Sequence, residues 1–220
     1  MKRKIYFFLV VFVFLSILIF PLAIKIKVAC LSQYGVCSDN LYNDLGKYNG
    51  KNLFIANMGI VKFLKSNFLI SQFSTQFKLP NILAVNVLIK KPVFALSDGK
   101  SIDLVDNEGT VLSYANNTQL PRVTINQNLP NPGTKVDSGV LNALKIVFGL
   151  SEMYQVNFGE IRDGSLVVDL PAQIRVLFPL DEDSQVVLGA LRLIYPKVST
   201  GDFAGKYSEI DLRFRNPVLR

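Results

Sequence analysis

From Leu69 onward the apolar positions recur every second residue: Leu69, Phe73 and Phe77 take one side, and Gln72, Ser74, Gln76 and Lys78 the other. After a Leu79-Pro80-Asn81 turn, Leu83, Val85, Val87 and Ile89 make a clean apolar face. Period two marks half-buried strands, because successive side chains point to opposite faces. Upstream the period is helical. Leu41, Leu45 and Tyr48 fall at i, i+4 and i+7 behind Ser38 as N-cap, and Ile60, Phe63, Leu64 and Phe68 share one face of a second short helix that Asn57 would cap. Ile24 to Ala29 reads as a first strand. Residues 25–91 are thus expected to run strand, helix, helix, strand, strand, an α+β solution with two helices on one face of a small sheet.

Beyond Pro92 the apolar runs are shorter. Val93–Leu96, Ser101–Val105 and Thr110–Tyr114 read as strands separated by the Ser97-Asp98-Gly99-Lys100 and Asp106-Asn107-Glu108-Gly109 turns. The polar stretch Asn126–Thr134 reads as a linker or domain boundary. An amphipathic helix follows, with Val140, Leu141, Leu144, Val147 and Phe148 inward, then a hairpin of 156–161 and 165–170 about Arg162-Asp163-Gly164. Ile174–Phe178 is a further strand, and Ser184 opens a helix carrying Val187, Ala190, Leu191 and Ile194. At the end of the chain Ile210, Leu212 and Phe214 alternate with Glu209, Asp211, Arg213 and Arg215, which predicts a half-buried last strand at a sheet edge. The expected class for residues 92–220 is a mixed, β-rich domain ending in that edge strand.

Ile5–Ile24 holds 20 residues in which only Ser16 and Pro21 interrupt the apolar run, the length a bilayer-spanning helix needs. A cleaved signal peptide has a shorter apolar region, so a retained transmembrane helix over 5–24 is expected. Lys2, Arg3 and Lys4 would hold residues 1–4 in the cytoplasm and place everything after Lys25 outside. The net charge of +7 shrinks to +2 once residues 1–27 are set aside, since they carry five basic residues and no acidic one. A mixed surface of that kind does not suggest a nucleic-acid partner.

The chain has no histidine and only two cysteines. Ser-His-Asp, Cys-His and imidazole–metal arrangements are therefore excluded, and no cofactor or metal is expected. Cys30 and Cys37 can close a short local disulfide or stay as two thiols. Gly99-Lys100-Ser101 lacks the upstream glycine and following helix of a phosphate loop. Asp181, Glu182 and Asp183 precede a helix, where acidic residues suit the dipole. Asp103, Asp106 and Glu108 border a tight turn and are read as keeping it wet. Asn116-Asn117-Thr118 matches a glycosylation acceptor.

A short basic N-terminus, one apolar run and "GKNLFI", then in order "LPNILAVNVLIKKPVFAL", "LVDNEGTVL", "LPRV" and a terminal "EIDLRFRNPVLR", resemble the FtsQ/DivIB family of bacterial cell-division proteins over nearly the whole chain. The resemblance implies a POTRA domain over 25–91 and, over 92–220, a β-rich domain that binds small bitopic partners of the FtsB/DivIC and FtsL type. It implies that the partner adds a strand to the terminal strand, making Glu209, Asp211, Arg213, Phe214, Arg215 and Asn216 the expected partner-binding residues. The implied function is that of a non-catalytic divisome scaffold, located at the division septum, that helps control septal wall synthesis. A POTRA-type chaperone or docking module in protein export or outer-membrane assembly is the alternative. The sequence departs from the family at "LPAQIRVLFP", where a glycine-bearing turn is usual.

Overall fold

A computed structural model describes residues 24–201 and 203–220. The expected cytoplasmic residues 1–4 and the expected transmembrane helix 5–24, Ile24 apart, lie outside them. Among the described residues no helix is long and apolar enough to cross a membrane. Contacts divide the chain between Lys90 and Lys91. Asn126–Thr134, read as a boundary, instead runs inside the second unit, where Val111 N–H reaches Thr134 C=O at 2.9 Å and Gly133 N–H reaches Val111 C=O at 2.8 Å.

In the first unit β1 (Lys27–Ser32) and β2 (Gly35–Val36) form a hairpin, α1 (Asp39–Gly46) and α2 (Leu53–Ser66) follow, and β3 (Ile70–Lys78) and β4 (Ile82–Ile89) close the sheet in the order β2-β1-β4-β3. β1 runs parallel to β4 and β3 antiparallel to it. Ile26, Leu45, Ala56, Ile60, Leu64, Leu83, Val85 and Val87 are buried together, so the apolar stripe of each helix meets the period-two face of β4. The cap of α2 is Asn52, whose side chain accepts the Ile55 N–H at 2.8 Å, and not Asn57, which lies inside the helix. The helix extends upstream because Leu53 to Ala56 continue its apolar period. A register shift between Ile70 and Gln72 leaves Leu69 outside β3, exposed.

The second unit contains β5 (Phe94–Ser97), β6 (Ile102–Val105), β7 (Val111–Ala115), β8 (Arg122–Thr124), α3 (Ser138–Tyr154), β9 (Phe158–Arg162), β10 (Ser165–Leu170), β11 (Ile174–Pro179), α4 (Ser184–Ser199), β12 (Glu209–Asp211) and β13 (Val218–Leu219). Among the described residues its nine strands form one sheet ordered β13-β12-β11-β10-β9-β8-β5-β6-β7. Leu166, Val168, Leu170, Val176 and Phe178 pack with Ala143, Ile146, Leu150, Val187 and Leu191 in one core, while Asp169 and Arg175, on the alternate positions, are exposed. The crossovers β8–α3–β9 and β11–α4–β12 both join parallel neighbours. A Cβ on Gly159 would lie 2.9 Å from Val147 Cγ2 and 2.8 Å from Leu166 Cδ1, so the absence of a side chain there lets β9 lie close against α3.

The expected class, α+β with a spanning helix and a β-rich second domain, is corrected to mixed α/β. Helix accounts for about 30% and strand for about 34% of the described residues, and the sheets mix parallel with antiparallel pairs. Alternation along a strand reveals which face is buried but not the direction of its neighbour, which the helical crossovers decide. The expected terminal edge strand is also corrected: β12 lies between β11 and β13.

Candidate functional site

The β12 strand is only three residues long, and the chain turns back through Arg213–Asn216 to pair as β13, with Ile210 opposite Leu219 and Asp211 opposite Val218. Extended alternation therefore stops at Asp211. Leu212 stays buried beside Ile210, whereas Phe214, expected on that same side, stands at the loop tip with 51% of its surface exposed. Arg215 and Asn216 are exposed next to it. The return strand was legible in the Asn216-Pro217 turn signal followed by Val218-Leu219, which a reading of continuous alternation passes over.

Asp211, expected on the polar side of the last strand and at the partner contact, is fully buried. Its carboxylate accepts the Arg213 Nε at 2.9 Å, the Arg213 Nη2 at 2.7 Å and the Arg213 backbone N–H at 3.1 Å. Arg220 adds a second cation, its Nη2 at 3.4 Å from Asp211 and its Nη1 at 3.1 Å from Glu209. The Arg213 hydrogen bonds hold the Asp211 carboxyl below the usual range although burial works against them, and the same bonds raise Arg213. Arg213 and Glu209 thus spend their charge inside the hairpin, with a bidentate pair at its centre. Arg220, missed by the sequence reading, completes this lock. Among the described residues Arg215 makes no ion pair.

The open backbone lies on β13. Glu209 and Arg220 exchange both main-chain bonds at 3.0 Å. In an antiparallel ladder the next residue points its groups the other way, so the N–H and C=O of Leu219 face the unpaired edge. Beside the start of β12, a cleft of about 700 Å³ is lined by Leu170, Pro171, Gln173, Arg175, Ser208 and Glu209. Arg175 there is bound to Asp169, with Nε–Oδ1 at 2.8 Å. The hairpin tip above it carries Ala172 and Gln173 at φ of 61° and 59°, so the backbone takes a glycine-like shape without glycine.

Several other singled-out residues have structural partners. Asp183 caps α4 by accepting the Gln185 N–H at 2.7 Å, and Asp106 accepts the N–H groups of Glu108 and Thr110 at 2.9 and 2.7 Å, buried and not wet. Asp98 holds the Gly99-Lys100-Ser101 turn by accepting the Lys100 and Ser101 N–H groups at 2.9 and 2.8 Å. Cys30 and Cys37 are joined in a disulfide with Cα atoms 5.6 Å apart, stapling the β1–β2 hairpin. Asp103 differs from all of these. It is fully buried, both carboxylate oxygens lack a hydrogen-bond partner among the described residues, and burial, with a smaller contribution from Asp98, pushes its carboxyl up to about 6. In comparisons with known proteins, the chain matches no family model and no curated protein.

Proposed function

We propose that the chain is a non-catalytic, membrane-attached scaffold of bacterial cell division, of the FtsQ/DivIB kind that its ordered motifs resemble, and that it helps control septal wall synthesis. Its partners in this reading are small bitopic proteins of the FtsB/DivIC and FtsL type, which add a strand to the C-terminal sheet. The observation that carries the reading is the exposed edge of β13, with the outward N–H and C=O of Leu219 beside the uncovered Phe214 and Arg215. Main-chain bonds would supply affinity there and the side chains selectivity. Arg215 would favour an acidic partner segment and repel a basic one. The receiving strand is β13 and not β12, whose two sides are already paired.

Arg213 is a poor probe of this contact, because reversing its charge breaks the pairing with buried Asp211. Leu219→Pro is cleaner: it removes an outward N–H while the Glu209–Arg220 bonds persist. With the full chain and the candidate partners co-expressed, co-purification should be retained by wild type and weakened about fivefold or more by Leu219→Pro, one lost ladder bond being worth about 1 kcal/mol before the ring clash. A Phe214→Ser, Arg215→Glu variant should lose binding further. Retention of full binding by both variants would remove the edge from the reading, and no binding by wild type would remove the scaffold function with these partners.

A further inference from the structure

Helix α2 is apolar on two faces. Ala56, Ile60 and Leu64 fill the core of the first unit, yet Phe54, Ile55 and Met58 on another face are 59%, 48% and 58% exposed. A helix apolar on opposite sides needs cover on both. The uncovered face lies at the start of the helix, and that start is tied to the end of the apolar run: Leu53 donates its N–H to the Ile24 C=O at 3.1 Å, and Ile26 donates to the Lys51 C=O at 3.0 Å. Ile24 is the last residue of the 20-residue run 5–24.

Charge is segregated in a way the whole-chain sum conceals. Residues 24–90 carry eight lysines against two aspartates, whereas residues 91–220 carry 13 basic and 15 acidic residues. Four of the eight lysines lie along or just before the exposed stripe. Lys25 and Lys51 flank its beginning, and Lys62 and Lys65 continue it one and two turns beyond Met58, all exposed. An apolar patch next to the end of an apolar run, flanked by lysines that have no acidic partner among the described residues, has the make-up of a surface that seats in a lipid interface.

We propose that the first unit docks on an anionic lipid surface, with Phe54, Ile55 and Met58 entering the headgroup boundary and Lys25, Lys51, Lys62 and Lys65 meeting lipid phosphates. This rests on the membrane-attached reading above and adds a second, reversible contact, which holds the unit down on the bilayer and does not leave it swinging on a tether. Docking of this kind weakens with salt, because exposed charges are screened within about 10 Å at 0.1 M.

The chain contains no tryptophan, so Phe54→Trp creates a single reporter. The test uses the full chain in vesicles of phosphatidylcholine with phosphatidylglycerol, scored first by flotation and then by quenching with brominated lipids. Indole emission should be blue-shifted and quenched most by bromines about 5 to 10 Å below the headgroups. A Tyr34→Trp reporter should stay unquenched, because β1 carries the chain about 20 Å along its length before Tyr34 at about 3.3 Å per residue. Adding Ile55→Asp and Met58→Asp to the Phe54→Trp chain should abolish quenching, and Lys62→Gln should lower the docked-to-undocked ratio about fivefold. A Phe54→Trp chain that floats while its indole emission stays unquenched and water-like overturns the docking and leaves membrane attachment standing. Blue-shifted emission without lipid quenching also overturns it, by showing a protein cover such as a second copy, and failure to float overturns both readings.

Discussion

Replacing Asp103 by Asn should stabilise the second unit at neutral pH. Asp103 lies opposite Leu96 on β5 and Tyr114 on β7, and a directly opposed pair shares a face of the sheet, so its carboxylate is directed to the side that carries the core. It is fully buried there with no hydrogen bond to either oxygen, and its carboxyl rises from 3.8 to about 6. A raised carboxyl means that the native state holds more protons than the unfolded chain between those values, so stability falls as pH rises through that window and is level above it. The shift is about 2 pH units at about 1.4 kcal/mol each, a cost of about 3 kcal/mol at pH 7 that is absent below pH 4. Asn keeps the shape and cannot ionise. Urea unfolding of the full chain, followed by amide exchange in β5–β7, should show the variant ahead by up to about 3 kcal/mol at pH 7 and level with wild type near pH 3.5. A variant that is less stable at both pH values would refute the reasoning, because it would mean that the carboxylate makes a stabilising contact.

Arg213→Gln should act in the opposite sense. It deprives buried Asp211 of its bidentate partner and should lower stability at pH 7, read as a lower urea midpoint. Since the Asp211 carboxyl is lowered, its stabilisation is present above about pH 4 and is lost as pH falls through the lowered value, so the variant should flatten the acid limb of the stability profile. Ala172→Gly and Gln173→Gly, at exposed positive-φ positions, should each gain about 0.5 to 1 kcal/mol by relieving left-handed strain, read as a higher urea midpoint; a loss at either site would point to a contact of the deleted side chain. Converting both Cys30 and Cys37 to Ser should lower first-unit stability by about 2 to 3 kcal/mol while second-unit exchange stays unchanged, and equal exchange in both units would contradict a local staple.

Much of the element order was legible in the residues themselves. Leu83, Val85 and Val87 announce both β4 and its buried face, and Asp163-Gly164, at φ of 50° and 71°, form the turn that Arg162-Asp163-Gly164 predicts. These readings succeed because side-chain period and turn chemistry are local, fixed by a few consecutive φ and ψ values. Helix ends were less legible. Asn52 and Asn57 both offer a capping side chain, and which one is used depends on where the upstream chain is pinned by Ile24 and Ile26.

At the C-terminal site the sequence alone indicated an alternating segment with an aromatic and several charges, and it determined that Ile210 and Leu212 would seek the core. Only the tertiary structure decided that β12 lies inside the sheet, that Asp211 is buried under Arg213 and Arg220, and that Phe214 stands outside. The same holds for Asp103, which looks like a turn residue until β5 and β7 close on either side of it. The physical reason is common to both carboxylates. Burial and charge pairing are set by neighbours far along the chain, and strand partners are chosen by the helical crossovers between them, which no local period records.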